Sequence, residues 1–348
     1  MIDIKEEIKK PEYDFLRTEP HLGRNIILLG LGGSHAYGTN TPTSDVDIRG
    51  IALNNKRDIL LNTRFEQVVN TPTDTTIYSL NKIVSLLSNC NPNTIELLGL
   101  REDQYIASKL GKALIANKDM FLSKRACYSF GGYATAQLNR LQNKASIALD
   151  EEEYKKHITR SIQGMLNTFP EKYKEYNYNI NVYVDSNTDT HIDNDYDIYA
   201  DVQFSHFPLR NINSILSETI NVIRDYDKLG KRNRNAIAHN KLGKHMCHTI
   251  RLYYMLFDIL ENNEIKTYRD NITEHNLLMD LRNEKYLDKD YMPIPEFFDL
   301  VEELERRVQY DKENTDLPDN PDYKRINDFL YEVNKNIVSG NIETEPLY

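Results

Sequence analysis

Apolar and polar positions change rhythm along this chain. Arg24 to Gly32, "RNIILLGLG", is a short block of Ile and Leu closing on glycines, the pattern of a buried strand that leaves into a turn. In "SDVDIRGIAL", Ser44 to Leu53, polar and apolar residues alternate, which predicts a second strand with Asp45 and Asp47 on one face. "DTTIYSL", Asp74 to Leu80, is β-branched and aromatic and predicts a third strand. It runs into "NKIVSLLSN", where Ile83, Leu86 and Leu87 recur at helical spacing, and Asn91 then stands as an N-cap before Pro92.

From Lys109 onward the rhythm is helical, as in "KLGKALIANKDMFLS" and "NINSILSETINVIRDYDKLG". Residues 1–105 therefore read as a mixed domain and 106–348 as a mainly α-helical one, an α+β chain overall. The acid- and Asn-rich stretch at about 185–201 interrupts the second domain and reads as a surface loop or hairpin. Its aspartates suggest calcium, but the glycine and the bidentate glutamate of an EF-hand loop are missing.

Composition narrows the class. The chain has 348 residues, 40% hydrophobic and 28% charged, and no apolar run near the roughly 18 residues that span a bilayer, so a globular protein and no membrane partner are expected. The start, "MIDIKEEIKKPEYDF", carries no apolar leader, and Cys90, Cys127 and Cys247 lack metal-like spacing, which fits a reducing cytoplasm. A formal charge of −10 argues against indiscriminate adhesion to nucleic acid and directs attention to local basic segments.

The chemistry concentrates in "GLGGSHAYGTNTPTSDVDIRG", Gly30 to Gly50. Two carboxylates on one strand face repel unless they are solvated or share a cation. The Gly-Gly-Ser turn that follows the buried strand leads into a helix start whose free N–H groups and hydroxyl can hold phosphate. Together they describe a metal–nucleotide site. No Gly-Lys-Ser/Thr follows, which excludes a Walker loop, and the G-x-G-x-x-G spacing of a dinucleotide fingerprint is not met.

These residues resemble the DNA polymerase β-like nucleotidyltransferase superfamily, and "GSHAYG…SDVDIRG" resembles its branch of predicted nucleotidyltransferases associated with RNA ligases. The likeness extends over most of residues 24 to 285. It implies a small mixed-sheet nucleotidyltransferase core over 1–105, followed by a helical domain that binds acceptor and nucleotide. It also implies two-metal transfer of an NMP from an NTP to a hydroxyl with release of pyrophosphate, using Mg²⁺ or Mn²⁺. Asp45 and Asp47 match the family's metal-binding pair. The third carboxylate lies on a neighbouring strand, and Asp74 is matched to it on strand placement, Asp58 and Glu66 reading as solvated. Gly33 and Ser34 would hold phosphates, and His35 and Arg49 flank them, with an ordinary surface role open for each.

A second feature lies in "KLGKRNRNAIAHNKLGKHMCHTIR", Lys228 to Arg251, which contains no Asp or Glu. On a helix, Lys241, Lys244, His248 and Arg251 share a face that can grip a polyphosphate or an acceptor backbone; a solvated basic face is the alternative. Lys124, Arg125, Arg140 and Lys144 form a weaker patch around aromatics. The acceptor favoured by these segments and by the RNA-ligase association is an RNA end, of tRNA or damaged RNA. The negative charge favours instead a protein side chain or small molecule, as in toxin–antitoxin chemistry, and a non-catalytic nucleotide-binding module is the third reading.

Overall fold

Two short helices, α1 (Ile4–Glu7) and α2 (Phe15–Thr18), precede β1 (Ile26–Leu31), all of whose residues are buried. The structure is a computed structural model that describes residues 2–63, 65–142, 177–186, 196–205, 207–209, 212–213, 217, 242–289, 293–342 and 347. After β1 come α3 (Gly33–Tyr37), β2 (Ile48–Ala52), α4 (Lys56–Leu61), β3 (Gln67–Asn70) and β4 (Thr75–Ser79). Then follow α5 (Leu80–Ser88), α6 (Pro92–Ile95), β5 (Tyr105–Ala107), α7 (Lys109–Ala116) and α8 (Arg125–Gln142).

The five strands form one sheet in the order β3-β4-β2-β1-β5, in which β2 and β4 run parallel and the other pairs antiparallel. The apolar run of β1 is explained by its inner position: with a strand on either side and helices over the sheet, both of its faces must be apolar. Ile4, Ile8 and Leu16 bring α1 and α2 onto one face of the sheet, against Ile26, Leu29 and Ile77. Each such burial is worth roughly 2 kcal/mol, which outweighs the poor intrinsic stability of one-turn helices. Meanwhile α5 and α7 pack against β1, β2 and β4. Helix starts follow local capping: Ser79 accepts from the Lys82 amide, and Asn91 caps α6 with Pro92 in the first turn, as the sequence predicts.

The second strand is shorter than its alternation predicts. It begins at Ile48, so Asp45 and Asp47 precede it. Ile48 is the first residue with a ladder partner, Thr75, and Asp74 just before that partner is in the left-handed region at φ 42°. Upstream, Ser44 closes a turn on Thr41 through its amide and its hydroxyl instead of entering the sheet.

The C-terminal part is mainly helical: α9 (Leu242–Asn262), α10 (Ile272–Arg282), α11 (Pro295–Asn314) and α12 (Tyr323–Ser339). Earlier in the chain, β6 (Asn177–Ser186) and β7 (Tyr196–Ser205) form an antiparallel ribbon whose ladder sets Asp185 opposite Asp197. The chain divides into two compact units, one of Met1–Ala136, Gly243–Tyr286 and Ile294–Tyr348, the other of Gln137–Leu242 and Leu287–Pro293. The sheet and helices α9 and α10 thus belong to one unit, which makes their mutual contacts internal to it. No helix among the described residues is long and apolar enough to cross a membrane.

Candidate functional site

Where β1 ends, the chain turns sharply through Gly32 into Gly33, which opens α3 at φ +54°. A Cβ on Gly33 would sit 1.9 Å from Oδ2 of Asp47, and one on Gly32 would sit 3.2 Å from the Asp47 Cβ. Glycine is required at Gly33 for both the left-handed backbone and the close approach. The Gly32 amide also donates to the Asp47 carbonyl at 2.8 Å. The turn and the carboxylate are therefore packed as one piece. Gln104, fully buried, steadies α3 by donating to the carbonyls of His35 and Ala36 at 3.0 and 3.1 Å.

Parallel pairing supplies the second carboxylate. Because Ile48 pairs with Thr75, the residues just before them, Asp47 and Asp74, come level at the same end of β2 and β4. Asp47 is half-buried, and Asp74 lies near enough to act on its carboxyl. Burial first, then neighbouring Asp74, push the Asp47 carboxyl up to about 6, while Arg49 and Lys244 pull it down. Two neighbouring carboxyls are relieved by a shared proton or a cation, so the pair could take part in holding a divalent metal. Arg49 grips Asp74 through both its carbonyl and its Oδ1, the latter at 3.3 Å. That grip holds Asp74 in its left-handed conformation.

The remaining sequence candidates are placed as follows. Asp45 is exposed, and among the described residues no three His, Cys, Asp or Glu side chains gather as a metal set. Ser34 and His35 are buried, and the His35 Nε2 lies 3.5 Å from the Ser44 carbonyl, turned toward the loop that leads to Asp47. On α9, Lys244 is exposed and acts on Asp47, His248 meets the Tyr133 ring edge-on at 5.6 Å, and Arg251 stacks 3.9 Å over the Tyr37 ring. The face predicted from their spacing runs from solvent inward. Lys228, Lys231, Arg232, Arg234, Lys241 and Lys144 lie outside the described residues, as does the Arg140 side chain. In the weaker patch, Lys124 pairs with Asp319 at 3.6 Å and Arg125 bonds Asn89 and Asn320, so both cations are engaged within their own unit.

Each rival to Asp74 has a partner of its own. Asp58 is buried rather than solvated, because it completes the capping box of α4 with Asn55 and accepts from Thr63 at 2.6 Å. Glu66 is exposed and pairs with Lys82 at 3.1 Å.

Several contributors have only faint sequence signals. Arg282 of α10 donates to the Ser44 hydroxyl at 2.9 Å, and His275 lies 3.0 Å from the Gly38 carbonyl, so α10 clamps both ends of the loop between α3 and Asp47. Buried Glu96 accepts from the Tyr37 hydroxyl at 2.8 Å. An acid inside "NTIELL" and an aromatic inside "GSHAYG" were the available hints.

A family model described as the RNA repair pathway DNA polymerase beta family matches residues 6–182. An uncharacterized 38.9 kDa protein of the nrdC-mobD intergenic region of Enterobacteria phage T4 is 26% identical over 158 residues, 41% of this chain and 44% of the phage protein. The similarity thus spans less than half the length of that relative. No solved structure matches the chain.

Proposed function

The chain belongs to the RNA repair pathway DNA polymerase beta family, and from that premise we propose that it transfers an NMP from an NTP to a hydroxyl at an RNA end, releasing pyrophosphate. The observation that carries this reading is the register that sets Asp47 beside Asp74, with Asp47 packed on the Gly32–Gly33 turn. Asp47 and Asp74 would hold one divalent cation, Mg²⁺ or Mn²⁺, and Asp45 would join them for a second when the nucleotide is bound. Such ions neutralise the triphosphate and acidify the acceptor hydroxyl.

The chain's own residues supply position and charge. The Gly33 and Ser34 amides lie where the polyphosphate passes, and Lys244, His248 and Arg251 receive its β- and γ-phosphates. The acceptor oxygen forms a bond to the α-phosphorus as the α–β bridging bond breaks, and the electron pair leaves with pyrophosphate. Asp74, with 64% of its side chain exposed, faces the acceptor and takes its proton. Arg49 keeps Asp74 in place, while His35 braces the loop. Residues 1–105 would supply the catalytic chemistry and 106–348 the acceptor surface. A cytoplasmic setting agrees with an NTP donor and with Cys90, Cys127 and Cys247 all free and buried.

The net charge of −10 favours a second acceptor class, a protein side chain or small alcohol. Purified chain incubated with each α-labelled NTP, Mg²⁺ or Mn²⁺, and mixed cellular RNA and protein separates the two. Label in RNA supports the first reading, and label in protein or a small molecule replaces it with the second. Label nowhere, under every metal and NTP, leaves a nucleotide-binding module.

A further inference from the structure

Arg251 and Glu96 are opposite charges that lie against the same side chain and are kept from pairing by it. Tyr37 is buried with 1% of its surface exposed, its ring face carries the Arg251 guanidinium at 3.9 Å, and its hydroxyl donates to Glu96 Oε2 at 2.8 Å. In so dry a setting an arginine and a carboxylate normally collapse into a bidentate pair, since attraction rises as the dielectric falls. Here the carboxylate is engaged by the phenol instead. Among the described residues Arg251 makes no ion pair, and its Nε has no hydrogen-bond partner. Its charge is felt by Tyr37, Glu96, Cys247 and Asp47, which places it within reach of the carboxylate site.

The scaffold fixes this separation from three sides. Thr267 donates through its hydroxyl to the Glu96 carbonyl at 2.7 Å and through its amide to the Gly99 carbonyl at 3.1 Å, anchoring the segment that carries Glu96. The Arg269 amide donates to the Tyr37 carbonyl at 3.3 Å. Arg269, itself buried, is compensated by Asp258 at 2.6 Å and Glu274 at 3.3 Å, so it cannot serve Glu96 or a ligand. Of these two arginines, the buried Arg269 has its charge answered by protein carboxylates, and the half-buried Arg251 does not. A guanidinium whose Nε is shut from solvent with no partner is served by an anion that completes it.

We propose that Tyr37 is a positioning residue: it holds Glu96 away from Arg251 and so presents an unpaired guanidinium toward Asp47, where it binds the pyrophosphate end of the nucleotide. This rests on the reading of the site as a nucleotidyl-transfer centre, but its test does not require turnover. Removing the Tyr37 hydroxyl while keeping its ring frees Glu96 to pair with Arg251 and spends the charge. Removing the charge of Glu96 as well restores it.

The test measures binding of labelled inorganic pyrophosphate to the full-length chain by equilibrium dialysis without divalent metal, with melting curves to establish that each variant is folded. Tyr37→Phe is expected to weaken binding about tenfold, Arg251→Ala about as much or more, and the Tyr37→Phe/Glu96→Gln double variant to return to within about twofold of the parent. Glu96→Gln alone keeps an acceptor for the Tyr37 hydroxyl and is expected to bind within about threefold of the parent, an outcome available even if Tyr37→Phe does not fold. A parent chain that does not bind pyrophosphate overturns the proposal. So does Tyr37→Phe that binds like the parent, or a double variant as weak as the single one. A chain that follows the expected binding pattern yet transfers no nucleotide defeats the transfer reading and leaves this one standing; nucleotide transfer without the pattern does the reverse.

Discussion

Asp47 and Asp74 stand level because Ile48 and Thr75 pair in parallel register, which brings the residues just before two separate strands side by side. The backbone ladder keeps Asp74 beside Asp47, where it disfavours ionisation of the Asp47 carboxyl. The consequence appears in stability. The Asp47 carboxyl is pushed up to about 6 in the folded chain, above its ordinary value, so the fold holds that proton more firmly than the unfolded chain does. Its stabilising contribution is present below the ordinary carboxylate value and is lost as pH rises through about 6.

Melting curves without divalent metal are therefore expected to show a loss of stability between about pH 4 and 6 that Asp47→Asn reduces. Adding Mg²⁺ or Mn²⁺ near neutral pH should raise the melting temperature of the parent and not that of Asp47→Asn. Nucleotide transfer by the variant should fall at least about a thousandfold. Equal metal-induced stabilisation of parent and variant would remove Asp47 from the metal site.

Gly33 tests the packing of the turn on that carboxylate. A Cβ there would fall 1.9 Å from Asp47 Oδ2, and the residue sits at φ +54°. Gly33→Ala is expected to cost about 1 kcal/mol from the left-handed backbone alone. It should also displace Asp47, lowering transfer about a hundredfold, since a displacement near 1 Å at a reacting group has effects of that size. Chemical denaturation and steady-state rates on the same preparation read the two effects. A stability loss with unchanged transfer would mean that Asp47 tolerates the shift.

The sequence made the turn, β1 and the Asp45–Asp47 motif legible because each is local: an apolar run, glycines and alternating polarity. Alternation over Ser44 to Leu53 overstated β2, since it records which side chains face inward and not where ladder partners begin; Thr75 sets that limit. Asp74 was proposed from its place at the head of "DTTIYSL". Its place beside Asp47 depends on a parallel register that no short-range pattern encodes. Glu96, Arg282 and His275 escaped for the same reason, as each acts on the site across a long stretch of chain. The basic spacing on α9 was visible, but not that Lys244 faces solvent while Arg251 turns inward.

The rival acids give a control with opposite readouts. Asp58 closes the capping box of α4, so Asp58→Ala is expected to lower stability by about 1 kcal/mol while leaving transfer per folded molecule within about twofold. Glu66 pairs with Lys82 at the surface, where one ion pair is worth about 0–1 kcal/mol, and Glu66→Gln should be nearly silent in both measurements. Loss of transfer in Glu66→Gln, with the fold intact, would reassign the third carboxylate away from Asp74.

Lys244 offers the clearest separation of charge from structure. It is exposed and heads α9, yet it draws the Asp47 carboxyl downward. Lys244→Ala removes that pull, so Asp47 should hold its proton to higher pH. The acidic limb of the kcat/KM profile is then expected to move upward in pH, in the direction of fewer active molecules at pH 6. If Lys244 holds the polyphosphate as proposed, its loss should also raise KM for the NTP about tenfold, with kcat less affected and melting unchanged. High salt should shrink the difference between parent and variant, because an exposed charge is screened. A parent-like KM and pH profile in Lys244→Ala would confine the polyphosphate to Arg251 and the glycine turn.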